Sequence, residues 1–418
     1  MSLRNFIPVG TRRRRAGVYI TVLGTATAIT VIGLSSLTVA RIERRWMKAG
    51  SDFAQARIYA ESAIEFGLLK IDQNANWRTT YVSGVWESNK VIGNGRFTLE
   101  GIDADGLLAD SATDGLTLRG TGMEGSAQFK LEVQVDADIT PLTCLERPLH
   151  VGNDVTFSGA DVTSDRPISA NKNMAAVAST INADAEAGGT IIGLGFQGSR
   201  VTGMIARTMP SASVFDYYIA NGTVINFDST GGKIEDTVLS PRRNPYGVAT
   251  NPQGIYVISC GGRDFTIRDC RILGTLVLLD VGGSSRVENS VNIEPAVANL
   301  PSLLVRGKME FRYDDAPLSE SDREVNFNPP ESGYRGISDN DQIDSYPSII
   351  RGLVYVSSEL TFDGAPTFDG VVVGGNNLSI EKQAVFTYQS HYFANPPPGF
   401  IAAPRMVVVE GTWRQVVD

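Results

Sequence analysis

Three patterns of hydrophobic and polar positions follow one another along the 418-residue chain. The first is a stretch without charged residues from Ala16 to Ala40. A helix rises about 1.5 Å per residue, so a helix of this length spans the hydrocarbon core of a bilayer, which is about 30 Å thick. The stretch therefore predicts a transmembrane helix over residues 16–40.

The second pattern begins as a helical period and then becomes strand-like. Apolar residues recur at spacings of three and four between Phe53 and Ile71, as in a helix that buries one face. Apolar and polar residues then alternate in three short runs, which is typical of half-buried antiparallel strands. These runs are 96–102, 115–119 and 128–135. A helix must bury its apolar stripe, so residues 41–140 are predicted to form a helix that packs on a small antiparallel sheet.

The third pattern starts near Leu149 and consists of short apolar runs separated by Gly, Asn and Asp. Ile350–Val356 matches Phe368–Val373 at an offset of 18 residues. Such an offset suits one coil of a parallel β-solenoid, whose short strands stack on those of the previous coil. A β-sandwich is the alternative, although its strands would be longer and more regular. We predict a mainly β protein with an N-terminal α-helix, in which a right-handed parallel β-helix covers 141–400 and a C-terminal strand or tail covers 401–418.

Charge divides the chain in the same way. Residues 1–48 carry nine Arg or Lys and one acid, so they contribute +8 and leave −17 for residues 49–418. A basic leader at 1–15 before an apolar span and an acidic body suit a membrane-attached exported protein, and they argue against nucleic-acid binding. Basic residues also follow the span, so charge alone does not settle its orientation.

The small numbers of cysteine and histidine residues exclude some kinds of site. Cys144, Cys260 and Cys270 are too few for a disulfide framework. Cys260 and Cys270 either pair outside the cytosol or remain buried free thiols in stacked strands. The only histidines are His150 and His391, and no CxxC motif exists, so no zinc site is expected.

The most acidic segment, residues 314–344, holds nine carboxylates against two arginines. Its Pro and Gly residues indicate a surface loop that interrupts the solenoid, and such loops are usually only solvated. Within it, Asp339, Asp341 and Asp344 alternate in a way that can ring Ca²⁺ with oxygen atoms. The spacing is not that of an EF-hand loop, because the sixth-position Gly and the twelfth-position Glu are missing. A structural calcium ion is the one cofactor suggested by this pattern.

A family resemblance follows from the N-terminal features together. A basic leader, a Gly before an apolar span, the helical sequence Ala-Glu-Ser-Ala-Ile-Glu-Phe-Gly over 60–67 and a small antiparallel sheet resemble the type IV pilin-like proteins. Within that group, residues 12–139 are most similar to minor pilins and to the large pseudopilins of type II secretion. The resemblance implies a cytosolic leader, cleavage by a prepilin peptidase between Gly17 and Val18, and a body outside the inner membrane. Val22 is a departure, because pilins usually carry Glu at the fifth mature position.

These expectations converge on a structural role. The chain is expected to be a component of a cell-envelope pilus-like or type II secretion pseudopilus-like assembly, with its N-terminal helix packed against other pilin-like subunits. Its solenoid head would serve assembly or adhesion. We expect a single-pass inner-membrane protein with its C-terminal domain in the periplasm, or at the cell surface once assembled into a filament.

A different class of function remains as the alternative. A membrane-anchored β-helix can bind surface polysaccharide, or cleave it as a lyase or hydrolase through two placed carboxylates in 314–344. The scarcity of His and the lack of a basic cluster beside these acids favour a protein that is not an enzyme.

Overall fold

The computed structural model describes residues 13–111, 113–402 and 404–417, which divide into two compact units. Unit 1 comprises the residues up to Asp138 together with Pro404–Asp418, and unit 2 comprises Ile139–Ala403. Residues 1–12 of the predicted leader lie outside the described residues.

Unit 1 begins with one continuous helix. The segments predicted as a transmembrane helix and a following helix together form α1, Arg13–Gln73. A short helix α2 (Trp77–Thr80) and four antiparallel strands follow in sequence order: β1 Gly84–Ile92, β2 Gly95–Asp103, β3 Leu116–Glu124 and β4 Ala127–Asp138. The helix-plus-sheet arrangement implied by the resemblance is therefore present.

The helix packs on the sheet at unusually short range. Gly120 and Gly122 lie on β3, and a Cβ atom at either position would collide with a carbonyl oxygen of α1, that of Ala60 or that of Ala56. The facing helix residues Ala56, Ala60 and Ala63 are fully buried. The small residues in the helical sequence therefore let the helix backbone lie directly against a strand.

Unit 2 is built from short strands, nearly all of them paired in parallel. The strands are β5 Leu149–Val151, β6 Val155–Ser158, β7 Asp161–Ser164, β8 Ile168–Ala170, β9 Met174–Val177, β10 Thr180–Asn182, β11 Ala185–Ala187, β12 Ile191–Ile192, β13 Arg200–Thr202, β14 Thr223–Val224, β15 Lys233–Ile234, β16 Thr237–Leu239, β17 Ile255–Ser259, β18 Thr266–Leu273, β19 Thr275–Leu279, β20 Arg286–Glu294, β21 Leu303–Arg306, β22 Met309–Tyr313, β23 Leu318–Ser319, β24 Ser345–Tyr346, β25 Ile349–Val356, β26 Leu360–Phe362, β27 Thr367–Gly374, β28 Leu378–Ile380 and β29 Gln383–Tyr388. Short helical segments lie at Thr143–Glu146, Ala212–Phe215, Asp216–Asn221, Phe227–Thr230, Glu320–Arg323 and His391–Ala394.

The 18-residue offset marks a real coil. Ile350 pairs with Phe368 and Val354 pairs with Val372, in register along β25 and β27. Inward-facing aromatic rings stack from coil to coil; the Phe368 and Phe386 rings, for example, lie 5.5 Å apart and nearly parallel. The predicted fold class, a long N-terminal apolar helix followed by a large parallel solenoid sheet, is confirmed.

The coils do not stack in the order of the chain. The first coil, β5–β7, pairs with the last coil, β27–β29, on one side and with β8–β10 on the other. One of the parallel ladders therefore runs β14, β17, β19, β21, β25, β27, β5, β8, β11, β13. Residues 203–222 connect its two ends, and Val214, Phe215 and Tyr218 of this crossover pack on the outer side of the ladder.

The chain finally returns to unit 1. The strands β30 (Arg405–Val408) and β31 (Arg414–Gln415) both pair antiparallel with β4. Arg405 pairs with Asp138, the last residue of β4. In chain topology, unit 2 is thus an insertion between two neighbouring strands of the unit 1 sheet.

Candidate functional site

The N-terminal half of α1 exposes apolar side chains on all sides. Exposure is 62% for Val18, remains high through the span, and is 75% for Trp46. The helix from Gly17 onward is apolar and long enough to cross a membrane, and none of the other described residues buries its most apolar segment. An apolar helix without a covering layer needs a bilayer or other helices as its surroundings.

The Ser and Thr hydroxyl groups in this span are satisfied within the helix. Thr21 donates to the Gly17 carbonyl at 2.6 Å and Thr25 donates to the Thr21 carbonyl at 3.0 Å. Thr27, Thr30, Ser35, Ser36 and Thr38 bond in the same way to carbonyls three or four residues earlier. An internally satisfied hydroxyl leaves no unpaired polar group in hydrocarbon, so these residues are compatible with a membrane span.

The predicted processing site lies within this helix. Gly17 has open space where a Cβ would be, and Val18 is exposed. The peptide between them is helical in the structure, and cleavage there stays a prediction.

The acidic segment 314–344 is not merely a solvated loop, which corrects the expectation from its composition. Leu318, Phe327 and Tyr346 form a small hydrophobic cluster with Val238 of the solenoid wall. The strands β23 and β24 close the segment as an antiparallel pair. Glu320, which lies just after β23, is completely buried.

A buried arginine fastens this segment to the solenoid. Arg271 on β18 is fully buried and donates to the carbonyl oxygens of Phe327 at 2.8 Å, Ser332 at 2.7 Å and Gly333 at 2.9 Å. Desolvation lowers the pKa of its guanidinium group. The backbone of the segment thus accepts hydrogen bonds from both terminal nitrogens of this buried arginine, and the Glu294 carboxylate lies 4.0 Å from Nη2.

The three predicted ligands come together, and a fourth carboxylate joins them. Asp339, Asp341, Asp344 and Glu320 each offer an oxygen atom, and these atoms lie within 4.8 Å of one another. Glu320 accepts from the Phe327 amide at 2.6 Å, and from the Tyr346 hydroxyl at 3.0 Å. The sequence analysis missed Glu320 as a partner of the three aspartates, because it lies far before them and its only signal was membership of the acidic run.

The carboxamide of Asn328 lies against the same cluster. Its Nδ2 donates to Oδ2 of Asp339 and to Oδ2 of Asp344, at 3.1 Å in both cases. Asn328 is only 1% exposed, and its Oδ1 atom is buried without a hydrogen-bond partner. Tyr346 lies beside the cluster, and burial together with the neighbouring Glu320 raises the pKa of its hydroxyl group. The cluster is thus a group of oxygen atoms that can coordinate a metal ion, and it carries a net negative charge.

A second acidic group lies in unit 1. Asp105, Asp110 and Asp114 in the loop between β2 and β3 also offer oxygen atoms within 4.8 Å of one another, but the first two are exposed. Arg78 donates to the Leu108 carbonyl at 3.2 Å and to the Asp114 carbonyl. This exposed group of carboxylates in unit 1 can serve as a control for the partly buried cluster in unit 2.

The remaining candidate residues are buried. Cys144, Cys260 and Cys270 are free thiols inside unit 2. His150 is fully buried with its Nδ1 atom 2.7 Å from the Ser169 hydroxyl, and desolvation, with Arg207 and Arg147 nearby, lowers its pKa to about 3. A histidine of this kind is neutral at physiological pH.

Comparisons with known proteins give weak likenesses. No family model and no curated protein matches the chain. Among solved structures, the competence-associated pilin ComZ from Thermus thermophilus is 11% identical with a TM-score of 0.29, covering 88% of this chain and 98% of that chain. An ice-binding protein domain from Shewanella frigidimarina is 10% identical (TM-score 0.22; 60% and 97% covered), and a glycosylated ice-binding protein from an Arctic yeast is 11% identical (TM-score 0.22; 60% and 95% covered). Since each TM-score lies below 0.5, the assignment of fold and function rests on the residues and contacts described above.

Proposed function

We propose that this chain is a structural, membrane-anchored subunit of a pilus-like or type II secretion pseudopilus-like assembly. One observation carries the proposal: α1 is a single helix whose first half exposes apolar side chains on all sides, while one face of its second half is buried on the sheet of unit 1. A helix of this kind connects a membrane span to a folded body without a flexible joint.

The exposed half of α1 is the proposed assembly surface. Gly24 and Ala28 have the small-xxx-small spacing that lets helix backbones approach closely in a membrane. The hydroxyl groups nearby already bond to their own helix, so they do not oppose packing against a second helix. We propose that other pilin-like subunits pack here, and that unit 2 is the displayed head used for assembly or adhesion.

The proposal includes a topology. The basic leader would remain in the cytosol, a prepilin peptidase would cut between Gly17 and Val18, and both units would lie in the periplasm or, in a filament, at the cell surface. The test is to shear surface filaments from cells, collect membranes separately, and sequence the N-terminus of this protein in each fraction. A chain that begins at Val18 in the filaments is the expected result.

A matched pair of variants makes that test sharper. Gly17→Ile places a bulky side chain next to the proposed cut, whereas Gly33→Ile places the same side chain inside the span, where nothing lies within 4 Å. We expect Gly17→Ile to remain uncut and absent from filaments while Gly33→Ile is still cut. A wild-type chain that begins near Met1 and is confined to membranes would contradict the assembly role.

The proposed role is not enzymatic. Hydrolysis of a glycan needs two carboxylates that the substrate can reach. Glu320 is completely buried and accepts three hydrogen bonds, the third from the Asp344 amide at 3.1 Å, so it is held as a structural group and only the three aspartates of the cluster are open to a substrate. Incubation with polygalacturonate and similar glycans tests this point, and cleavage that is lost in Asp339→Ala or Asp341→Ala would overturn it.

A further inference from the structure

The acidic cluster in unit 2 concentrates negative charge without a cation of its own. Glu320, Asp339, Asp341 and Asp344 bring four carboxylates within 4.8 Å of one another. Among the described residues, no Lys or Arg forms an ion pair with any of the four. The nearby Arg271 is already used by three backbone carbonyls. Carboxylates at this separation repel one another unless a proton or a cation lies between them.

A second observation comes from Asn328. Its side chain is buried and turned into the cluster, yet its carboxamide oxygen has no hydrogen-bond partner. A buried amide oxygen without a partner is costly, and coordination of a cation is one way to satisfy it. The oxygen and nitrogen atoms of an Asn side chain exchange places by a rotation of 180°. In the structure the amide nitrogen faces Asp339 and Asp344, so the rotation would exchange its two hydrogen bonds for contact of the oxygen with a cation bound between these carboxylates.

We propose that Glu320, Asp339, Asp341 and Asp344, with Asn328 beside them, form a binding site for a calcium ion. Every donor is an oxygen atom, and no His or Cys belongs to the cluster, which is the ligand set of a hard cation and not of zinc. Calcium accepts six to eight oxygen atoms in irregular geometry, whereas magnesium demands a near-ideal octahedron and keeps several of its waters. An irregular loop that offers four carboxylates and an amide suits calcium.

The ion would act as a clasp on the acidic segment. Glu320 follows β23 at the start of the segment, Asp344 precedes β24 at its end, and the two are joined by the Asp344 amide. Asp339 and Asp341 come from the turn between them. A cation shared by the start, the turn and the end would stabilise the folded segment, because metal binding to a site that exists only in the folded state adds to its stability. This inference is independent of the proposed assembly role.

Terbium luminescence on the full-length, detergent-solubilised chain tests the site, with calcium as the competitor. The Tyr346 hydroxyl lies 3.0 Å from Glu320 and 3.4 Å from Asp344, so excited tyrosine would sensitise a bound terbium ion. All four tryptophans are in unit 1, at positions 46, 77, 86 and 413. We expect tyrosine-sensitised emission that calcium abolishes, and at least a tenfold loss of calcium affinity in Asp341→Asn.

Two control variants locate the signal. Asp322→Asn removes an exposed carboxylate from the same segment but outside the cluster, and Asp105→Asn alters the second acidic group in unit 1. Both should keep the wild-type calcium affinity. Calcium should also slow tryptic cleavage after Arg323 and Arg335, compared with the same protein in a chelator. No calcium-sensitive emission from the wild-type chain, an unchanged affinity in Asp341→Asn, or a loss confined to Asp105→Asn would each overturn the proposal.

Discussion

The interiors of the two units are packed in different ways. In unit 1, the backbone of α1 lies against β3 at Gly120 and Gly122, where side chains are missing. In unit 2, aliphatic side chains and stacked aromatic rings fill the solenoid, and peripheral segments are fastened by buried polar groups such as Arg271. Unit 1 should therefore be sensitive to added atoms, while unit 2 should be sensitive to the removal of a polar partner.

The positions of the tryptophans allow this contrast to be measured in one sample. All four belong to unit 1, so tryptophan fluorescence reports the unfolding of that unit. Reaction of Cys144, Cys260 and Cys270 with a thiol reagent reports the unfolding of unit 2, because these three buried free thiols all belong to it. Each substitution below should shift one signal and leave the other in place.

The largest effect is expected from Arg271→Ala in unit 2. The change leaves three buried carbonyl oxygens without their donor, and breaking a buried charged network of this kind costs about 3–5 kcal/mol. We expect the three thiols to become reactive at a lower urea concentration, with the tryptophan transition unchanged. Arg335→Ala, in the same segment but exposed, is the matched control. A loss below about 1 kcal/mol would show that water replaces the guanidinium group at no cost.

The next largest effect is expected from Gly122→Ala in unit 1. The new methyl group would meet the Ala56 carbonyl oxygen and the Ala60 amide nitrogen, both of which belong to the helix backbone. Overpacking of this kind costs about 1–3 kcal/mol. The tryptophan transition should move to lower urea while the solenoid signal stays in place. An unchanged tryptophan transition would mean that α1 can retreat from the sheet freely.

A pH effect should come from His150 in unit 2. The pKa of His150 is about 3 in the folded chain, whereas the pKa of a histidine in an unfolded chain is about 6.5. Between these two pH values, His150 takes up a proton only when the chain is unfolded. Stability should fall as the pH decreases, by about 1 kcal/mol between pH 7 and 5.5. The urea midpoint for thiol exposure in His150→Gln, with each sample brought to one pH for the labelling step, should depend less on the pH of unfolding over this range. A variant with the same slope as the wild-type chain would exclude His150 as its source.

Some of these features could be predicted from the sequence, and others could not. The offset between Ile350 and Phe368 predicted their pairing, because adjacent coils repeat the same inward and outward positions. The stacking of β5 on β27 had no such signal, since a parallel ladder joins any two compatible strands and the intervening chain leaves no periodicity. Glu320 was missed for the same reason: its neighbours in the fold are distant in the sequence. Local spacing identified Asp339, Asp341 and Asp344, but not the buried residue that completes the cluster.

The smallest expected effect is the most direct check of the comparison. Gly50→Ala makes the same chemical change as Gly122→Ala, but on the exposed side of α1, where a Cβ would meet nothing within 4 Å. Gly in a helix interior is less stable than Ala by about 0.5–1 kcal/mol, so the tryptophan transition should move slightly to higher urea. One methyl group would then stabilise the helix at residue 50, and another would destabilise its contact with the strand at residue 122. A loss of stability at residue 50 would mean that this side of α1 is covered in the isolated protein, so the proposed assembly surface would end closer to the N-terminus of the helix.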